Sequence, residues 1–180
     1  MLRVSLALLV LLAVPALADC PAVPDRSAQI DPLMERLRVI GTEGRAHEIM
    51  NQLWMLWTKA PDERAQKLLD EGMRRRDEYD LASAWDDFDQ LITYCPDYAE
   101  GYNQRAFVSF LLKQYEAAIE DLDKALTLEP RHLGALTGKA LSQMELYGPG
   151  AGQVTLRRAL KLNPWLPERR FLIEPKGVDL

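Results

Sequence analysis

Apolar residues recur every three or four positions along almost the whole chain after residue 30. This spacing is typical of amphipathic helices that bury one face, and no segment shows the strict alternation of a convincing strand. Asp31 followed by Pro32 predicts the start of the first helix, with Asp31 as the N-cap and proline at the first helical position. The pattern predicts an all-α fold of about eight helices, at about 31–40, 44–59, 62–77, 81–94, 98–111, 115–128, 132–145 and 149–162.

The same helix ending is written three times at an interval of 34 residues: QLITYCP at 90–96, KALTLEP at 124–130 and RALKLNP at 158–164. Proline ends each helix because it cannot donate the backbone hydrogen bond and clashes with the preceding turn. Small residues align at the same period and predict close helix crossings, because a larger side chain would hold the helices apart. They are Ala84, Ala118 and Gly152 in the second helix of each pair, and Gly72, Ala106 and Ala140 in the first. Larger apolar residues share another register and fill the space between pairs: Phe88, Leu122 and Leu156.

The period, the small positions and the closing proline resemble the tetratricopeptide repeat (TPR) family. The best matching copy is 98–131, which has Tyr102 at the family's first aromatic position and Tyr115 at the start of its second helix. The copies at 64–97 and 132–165 keep its register, and a divergent fourth copy is expected at about 30–62.

This resemblance implies a solenoid of helix hairpins with a right-handed superhelix over 30–164. A capping segment and tail follow at 165–180, because the last repeat of a solenoid exposes an apolar face that must be covered. The residues expected to cover it are Trp165, Leu166, Phe171 and Leu172.

The first 18 residues have the pattern of a secretory signal peptide. Met1-Leu2-Arg3 gives a positive start, an apolar run follows over 4–14, and Ala16-Leu17-Ala18 gives small residues before the expected cleavage at Asp19. The apolar run is about half of the ~20 residues that span a bilayer, so no stable membrane span is expected after cleavage. We therefore expect an exported protein of the bacterial periplasm, with secretion as the alternative, and a flexible linker at 19–29.

The chain has two cysteines, and export would place them in an oxidising compartment. Cys20 lies in the predicted linker and Cys95 at the end of a predicted helix. A bridge between them would tie the N-terminal arm to the body. The alternative is a half-buried Cys95 with a Cys20 that is free or pairs with another chain.

Charge and motifs give no candidate for catalysis. The formal net charge of −5 argues mildly against nucleic acid, which favours a basic surface. His47-Glu48 lacks the second histidine of a zinc-protease helix, because position 51 is asparagine. His132 is interpreted as a surface or capping residue. Two acidic clusters are interpreted as solvated helix faces: Asp86, Asp87 and Asp89, and Glu120, Asp121 and Asp123. The expectation is a protein that is not an enzyme and has no catalytic residues, metal site or cofactor.

The TPR resemblance implies a concave groove, lined by the first helix of each pair, that takes a peptide or a partner helix. Carried over position by position, its lining here is Leu69, Met73, Arg76, Asn103, Phe107, Phe110, Thr137, Leu141 and Met144. Burial in the core stays open for the apolar members, since that is the usual fate of such residues. One groove type of the family clamps a C-terminal carboxylate with Lys, Asn and Arg; those sites here hold Leu69, Met73, Gln104, Gly134 and Gly138, so that clamp is absent.

These observations predict a protein interaction module or adaptor that serves envelope assembly or integrity, with an unidentified protein or peptide partner. A self-associating structural subunit and an accessory subunit of a separate enzyme are the alternatives.

Overall fold

The structure is a computed structural model that describes residues 19–174. The predicted signal peptide at 1–18 and the end of the predicted tail, 175–180, lie outside the described residues. Eight α-helices follow one another: α1 (Ser27–Val39), α2 (Glu43–Trp57), α3 (Glu63–Asp77), α4 (Leu81–Tyr94), α5 (Ala99–Leu111), α6 (Tyr115–Leu128), α7 (Leu133–Tyr147) and α8 (Gln153–Leu162). A short 3-10 helix covers Pro167–Phe171. The described part contains no strand, so the predicted all-α fold is confirmed.

Helices α3 to α8 form three hairpins that stack in chain order. The small residues between them are fully buried, as Ala106 and Ala118 show. A Cβ added to Gly72 would come within 2.6 Å of the Phe88 ring, and one added to Gly152 within 2.2 Å of the carbonyl oxygen of Ala140. The predicted close crossings are confirmed, because a side chain would not fit at either glycine.

The three closing prolines lie along one edge of this stack. Helices α4, α6 and α8 each end two residues before Pro96, Pro130 and Pro164. We call the connecting segments 95–98, 129–132 and 163–166 the loop edge.

The α1–α2 hairpin lies across the loop edge and does not stack as a fourth repeat. Its helices pack against each other and α1 packs against α8, but neither packs along α3 or α4. The Tyr98 hydroxyl donates to the Trp57 carbonyl at 2.6 Å, and Trp165 Nε1 donates to the carbonyl of Ile40 at 2.8 Å. The expectation of a stacked copy at 30–62 was therefore wrong. Apolar residues near the ends of α6 and α8, beside the loop edge, pack in the same cluster as the hairpin: Leu126 is buried, and Leu128 and Leu160 are half-buried.

Two helix starts also differ from the prediction. Helix α1 begins at Ser27, so Pro32 lies inside it and Asp31 is not its N-cap. Asp25 accepts from the Ser27 backbone N–H at 2.9 Å, while Asp31 forms an ion pair with Arg131. Helix α8 begins four residues later than predicted, because the segment 149–152 is a turn.

The arm at 19–26 is packed against the body and joined to it. Cys20 and Cys95 form a disulfide, and Cys95 is buried. Cys20 and Val23 pack against an apolar cluster of α3 and α4 that includes Phe88. The described part of this predicted flexible linker is therefore held by covalent and apolar contacts.

The C-terminal segment contacts the last helix of the last repeat, α8, and also the cluster around the α1–α2 hairpin. Leu166 is buried and Trp165 is half-buried, and both pack with the cluster that holds α1 and α2. Phe171 is exposed, although its carbonyl accepts from Gln153 Nε2 at 3.0 Å. Trp165 and Leu166 thus close the contact between the loop edge and the hairpin. None of the helices within 19–174 has the length and apolar character to cross a bilayer.

Candidate functional site: the concave groove

A cleft of about 300 Å³ opens between α3, α5 and α7. Six of the nine predicted groove residues line it: Arg76, Asn103, Phe107, Phe110, Thr137 and Leu141. The three hairpins bring these side chains together because the first helices of successive pairs lie side by side.

The other three predicted residues point elsewhere. Leu69 is fully buried and Met73 packs against the same apolar cluster, since both share the helix face of Gly72 that meets α4. Met144 lies one turn after Ala140 and contacts the Gly152 position at the start of α8. Assigning these three to the groove was wrong, because they occupy the face of the first helix that packs on the second.

Phe107 gives the cleft an apolar surface beside a cation. Its side chain is 45% exposed, and the Arg76 guanidinium lies 5.2 Å from the centre of its ring. Arg76 also donates to Gln104 and pairs with Asp77 at 2.6 Å. A cation over an aromatic face is attracted by the ring quadrupole, so both side chains are held in place at the cleft.

A buried polar network supports the wall of the cleft. His132 Nδ1 accepts from the Ala135 backbone N–H at 3.1 Å, so in the neutral ring Nε2 carries the proton. That Nε2 donates to the Glu100 carboxylate at 2.8 Å, and the same carboxylate accepts from the amide groups of Asn103 and Gln104. The network fixes Asn103 within the wall, because its amide nitrogen already donates to Glu100.

His132 was predicted as a surface or capping residue. It caps α7, but it does not lie on the surface. The side chain is fully buried, and its ring lies 4.3 Å from the ring of Trp57, measured between centroids. The α1–α2 hairpin brings Trp57 there, which the repeat pattern did not reveal.

The two acidic clusters are in part ion pairs between helices. Arg105 on α5 pairs with Asp121 on α6 at 2.6 Å and with Asp89 on α4 at 2.5 Å. Lys139 and Asp123 lie 34 residues after Arg105 and Asp89, and they form the equivalent ion pair in the next repeat. Asp121 is buried, so interpreting it as part of a solvated face was wrong.

Asp87 departs from that interpretation in the same way. It is buried and pairs with Arg75 at 3.1 Å. Burial raises the pKa of its carboxyl, and the positive charge of Arg75 acts in the opposite direction. These carboxylates hold the hairpins together and do not form part of the groove.

Two residues that line the cleft come from outside the three hairpins. Trp54 reaches it from α2 and Glu168 from the 3-10 helix. Oε2 of Glu168 is buried, and no group within residues 19–174 hydrogen-bonds to it. The sequence carried no signal for either residue, because both depend on how segments outside the repeat register fold back.

Comparison with known proteins places the repeat within the chain. The tetratricopeptide repeat model matches residues 99–132. A TPR repeat-containing protein of Rhizobium etli is 30% identical over 129 residues, which are 72% of this chain and 62% of that protein. Tetratricopeptide repeat protein 36 of Mus musculus is 36% identical over 73 residues, 41% of this chain and 39% of that protein. The matches thus span less than two thirds of the length of these relatives.

Solved structures share the fold at low identity. The first TPR of Spaghetti, bound to an HSP90 peptide, has a TM-score of 0.58 at 20% identity and covers 61% of this chain and 90% of that one. The TPR2B domain of yeast Sti1, in complex with Hsp70, has a TM-score of 0.56 at 24% identity, with 61% and 91% covered. MamA of Desulfovibrio magneticus has a TM-score of 0.52 at 17% identity, with 79% and 78% covered. The chain therefore contains a tetratricopeptide repeat at residues 99–132, and its stacked hairpins share the fold of TPR domains.

Proposed function

We propose that this protein is a non-catalytic interaction module that binds a peptide segment or a helix of a partner protein in its concave groove. The observation that carries the proposal is Phe107, a large apolar side chain 45% exposed on the wall of a cleft that is otherwise lined mainly by α5 and α7. Exposed aromatic side chains in a concave site are the usual anchors of binding. The first TPR of Spaghetti, solved with an HSP90 peptide, and the TPR2B domain of Sti1, solved as a pHsp70 complex, support this use of the fold.

The cleft has room for a few side chains and not for a whole domain. Its volume of about 300 Å³ is at the low end for ligand sites. A partner would therefore insert one or two apolar side chains between Phe107, Phe110 and Leu141, while its backbone runs over the groove. The absence of the carboxylate clamp, with Gly134 and Gly138 at two of its sites, favours apolar anchoring over capture of an acidic chain end.

The proposed location is outside the cytoplasm, and in a bacterium the periplasm, with secretion as the alternative. The signal-like pattern at 1–18 supports export, and the Cys20–Cys95 disulfide fits an oxidising compartment. In that location the module would act as an adaptor in envelope assembly or integrity.

A photo-crosslinking amino acid at position 107 tests the groove. We expect it to form a covalent adduct with the partner in living cells, whereas the same amino acid at Val154, an exposed position on α8, should not. Mass spectrometry of the adduct would identify the crosslinked segment. Equal labelling from both positions, or none from position 107, would contradict the proposal. An adduct between two copies of the chain would favour the self-associating subunit.

A further inference from the structure

Glu168 at the cleft has a carboxylate oxygen without a hydrogen-bond partner in the described part of the chain. Glu168 lines the cleft, its Oε2 is buried, and no donor within the described chain reaches that atom. Carboxylates that lose water in a fold are normally paired or hydrogen-bonded, because an unpaired buried charge is costly. A donor on a bound segment would satisfy this oxygen.

The cations closest in sequence are already engaged elsewhere. Arg169 donates to the Trp165 carbonyl at 2.9 Å and pairs with Glu43 at 3.1 Å, and Arg170 lies over the ring of Phe171. Arg76, the cation that lines the cleft, is held by Gln104, Asp77 and the Phe107 ring. Within residues 19–174 these three arginines are engaged elsewhere, so Glu168 can pair with a cation of a bound segment.

A second group in the cleft suits the same ligand. Trp54 lines it, and its side chain is 37% exposed. Indole faces attract ammonium and guanidinium groups, and they also cover the methylene stems of Lys and Arg. The cleft also has an apolar lining, Phe107, Phe110 and Leu141, which suits an apolar side chain.

We propose that the groove selects a peptide segment in which an apolar side chain is accompanied by a basic one, Lys or Arg, whose cation pairs with Glu168. The inference rests on the proposed function, since it names the class of segment that the groove takes. The apolar side chain supplies most of the binding energy, and the charge pair fixes the direction in which the segment lies.

Selection of random peptides on phage against the purified, disulfide-bonded chain tests this inference. Enriched peptides should combine an apolar residue with Lys or Arg. A selected peptide is then synthesised with acetylated and amidated ends, so that only its side chain carries the cation. Its Lys→norleucine form should bind the wild type about tenfold more weakly, which is the order expected for loss of a charge-assisted hydrogen bond.

The variant Glu168→Gln separates the charge pair from general binding. It should bind the Lys peptide about tenfold more weakly than the wild type does, and it should bind the Lys and norleucine peptides nearly alike. Glu174→Gln is the matched control, because that glutamate is exposed in the same segment and lies outside the cleft. Circular dichroism verifies that both variants keep the helical content of the wild type.

The outcomes distinguish this inference from the proposed function. Enriched peptides without a basic residue, or an equal effect of Lys→norleucine in wild type and Glu168→Gln, would overturn the charge pair, and ordered water would then be its partner. Peptides whose binding requires Phe107 but does not change in Glu168→Gln would support the proposed function and contradict the charge pair. No enriched peptide together with no adduct from position 107 would overturn both.

Discussion

Gly152 is the residue where the packing of the third hairpin is tightest. The equivalent positions in the other copies hold Ala84 and Ala118, yet a Cβ on Gly152 would lie 2.2 Å from a backbone carbonyl oxygen. We predict that Gly152→Ala lowers the free energy of unfolding by about 2 kcal/mol, because α8 must move away from α7. The measurement is the midpoint of urea unfolding at unchanged slope.

Gly44→Ala provides the matched control for that substitution. Gly44 lies in the first turn of α2 and no atom lies within 4 Å of its ideal Cβ, so alanine should be neutral or stabilise by up to about 1 kcal/mol. If Gly152→Ala changes the free energy of unfolding no more than Gly44→Ala does, that result contradicts the close approach of α7 and α8.

Many residue contacts within the repeats were predictable from the sequence, whereas of the contacts between the repeats and other segments only the Cys20–Cys95 bridge was among the alternatives considered. The 34-residue register identified Ala106 and Ala118 as crossing points. The TPR resemblance implied groove positions for Phe107 and Thr137, and both line the cleft. Leu69 was misassigned because a residue between two faces of a helix can turn toward either. His132 was misassigned because its burial depends on Trp57, which reaches it from a helix outside the repeat register.

At the scale of elements, the distinctive feature is the α1–α2 hairpin on the loop edge. Trp165 connects this hairpin to the repeats. Its Nε1 donates to the Ile40 carbonyl, and its ring packs against the cluster that buries Met34 and Leu37. We predict that Trp165→Ala increases amide hydrogen exchange throughout α1 and α2, because the variant loses a hydrogen bond and part of the apolar cover. Mass spectrometry of peptides after exchange measures the effect for each helix.

Helices α3 and α4 serve as the internal control in that experiment. They belong to the other apolar cluster and do not pack along the hairpin, so their exchange should stay within error of the wild type. Faster exchange in all eight helices would indicate global destabilisation, and unchanged exchange in α1 would contradict the placement of the hairpin.

The existence of the elements was easier to predict than their arrangement. Apolar periodicity gave eight helices because each buries a single face, and the prolines gave the ends of α4, α6 and α8. The pattern of 31–57 is amphipathic too, but amphipathicity does not specify which surface the helix covers. The hairpin packs at this side of the stack because Leu126, Leu128 and Leu160 lie near the ends of α6 and α8, and these residues form one surface only after the repeats are folded.

At the scale of the whole molecule, the first helix contacts the last, and a disulfide fixes the arm that precedes it. In repeat arrays each repeat usually contacts only the adjacent repeats, so the two ends of the array can unfold independently. Here α1 packs on α8, and Cys20 is bonded to Cys95 at the C-terminal end of α4. The bond therefore couples the two apolar clusters, since the arm packs on one and the following hairpin on the other.

Removing the disulfide tests this coupling. The bond links residues 75 apart, and closing a loop of that length restricts the unfolded chain by about 4 kcal/mol in the chain-entropy model. We predict that Cys20→Ala with Cys95→Ala lowers the melting temperature by on the order of 10 °C for a chain of this size. Reducing the wild type with a thiol should bring its melting temperature to that of the double variant, while the double variant should not respond to the reductant. A wild type whose melting temperature is insensitive to reduction would show that the arm does not stabilise the array.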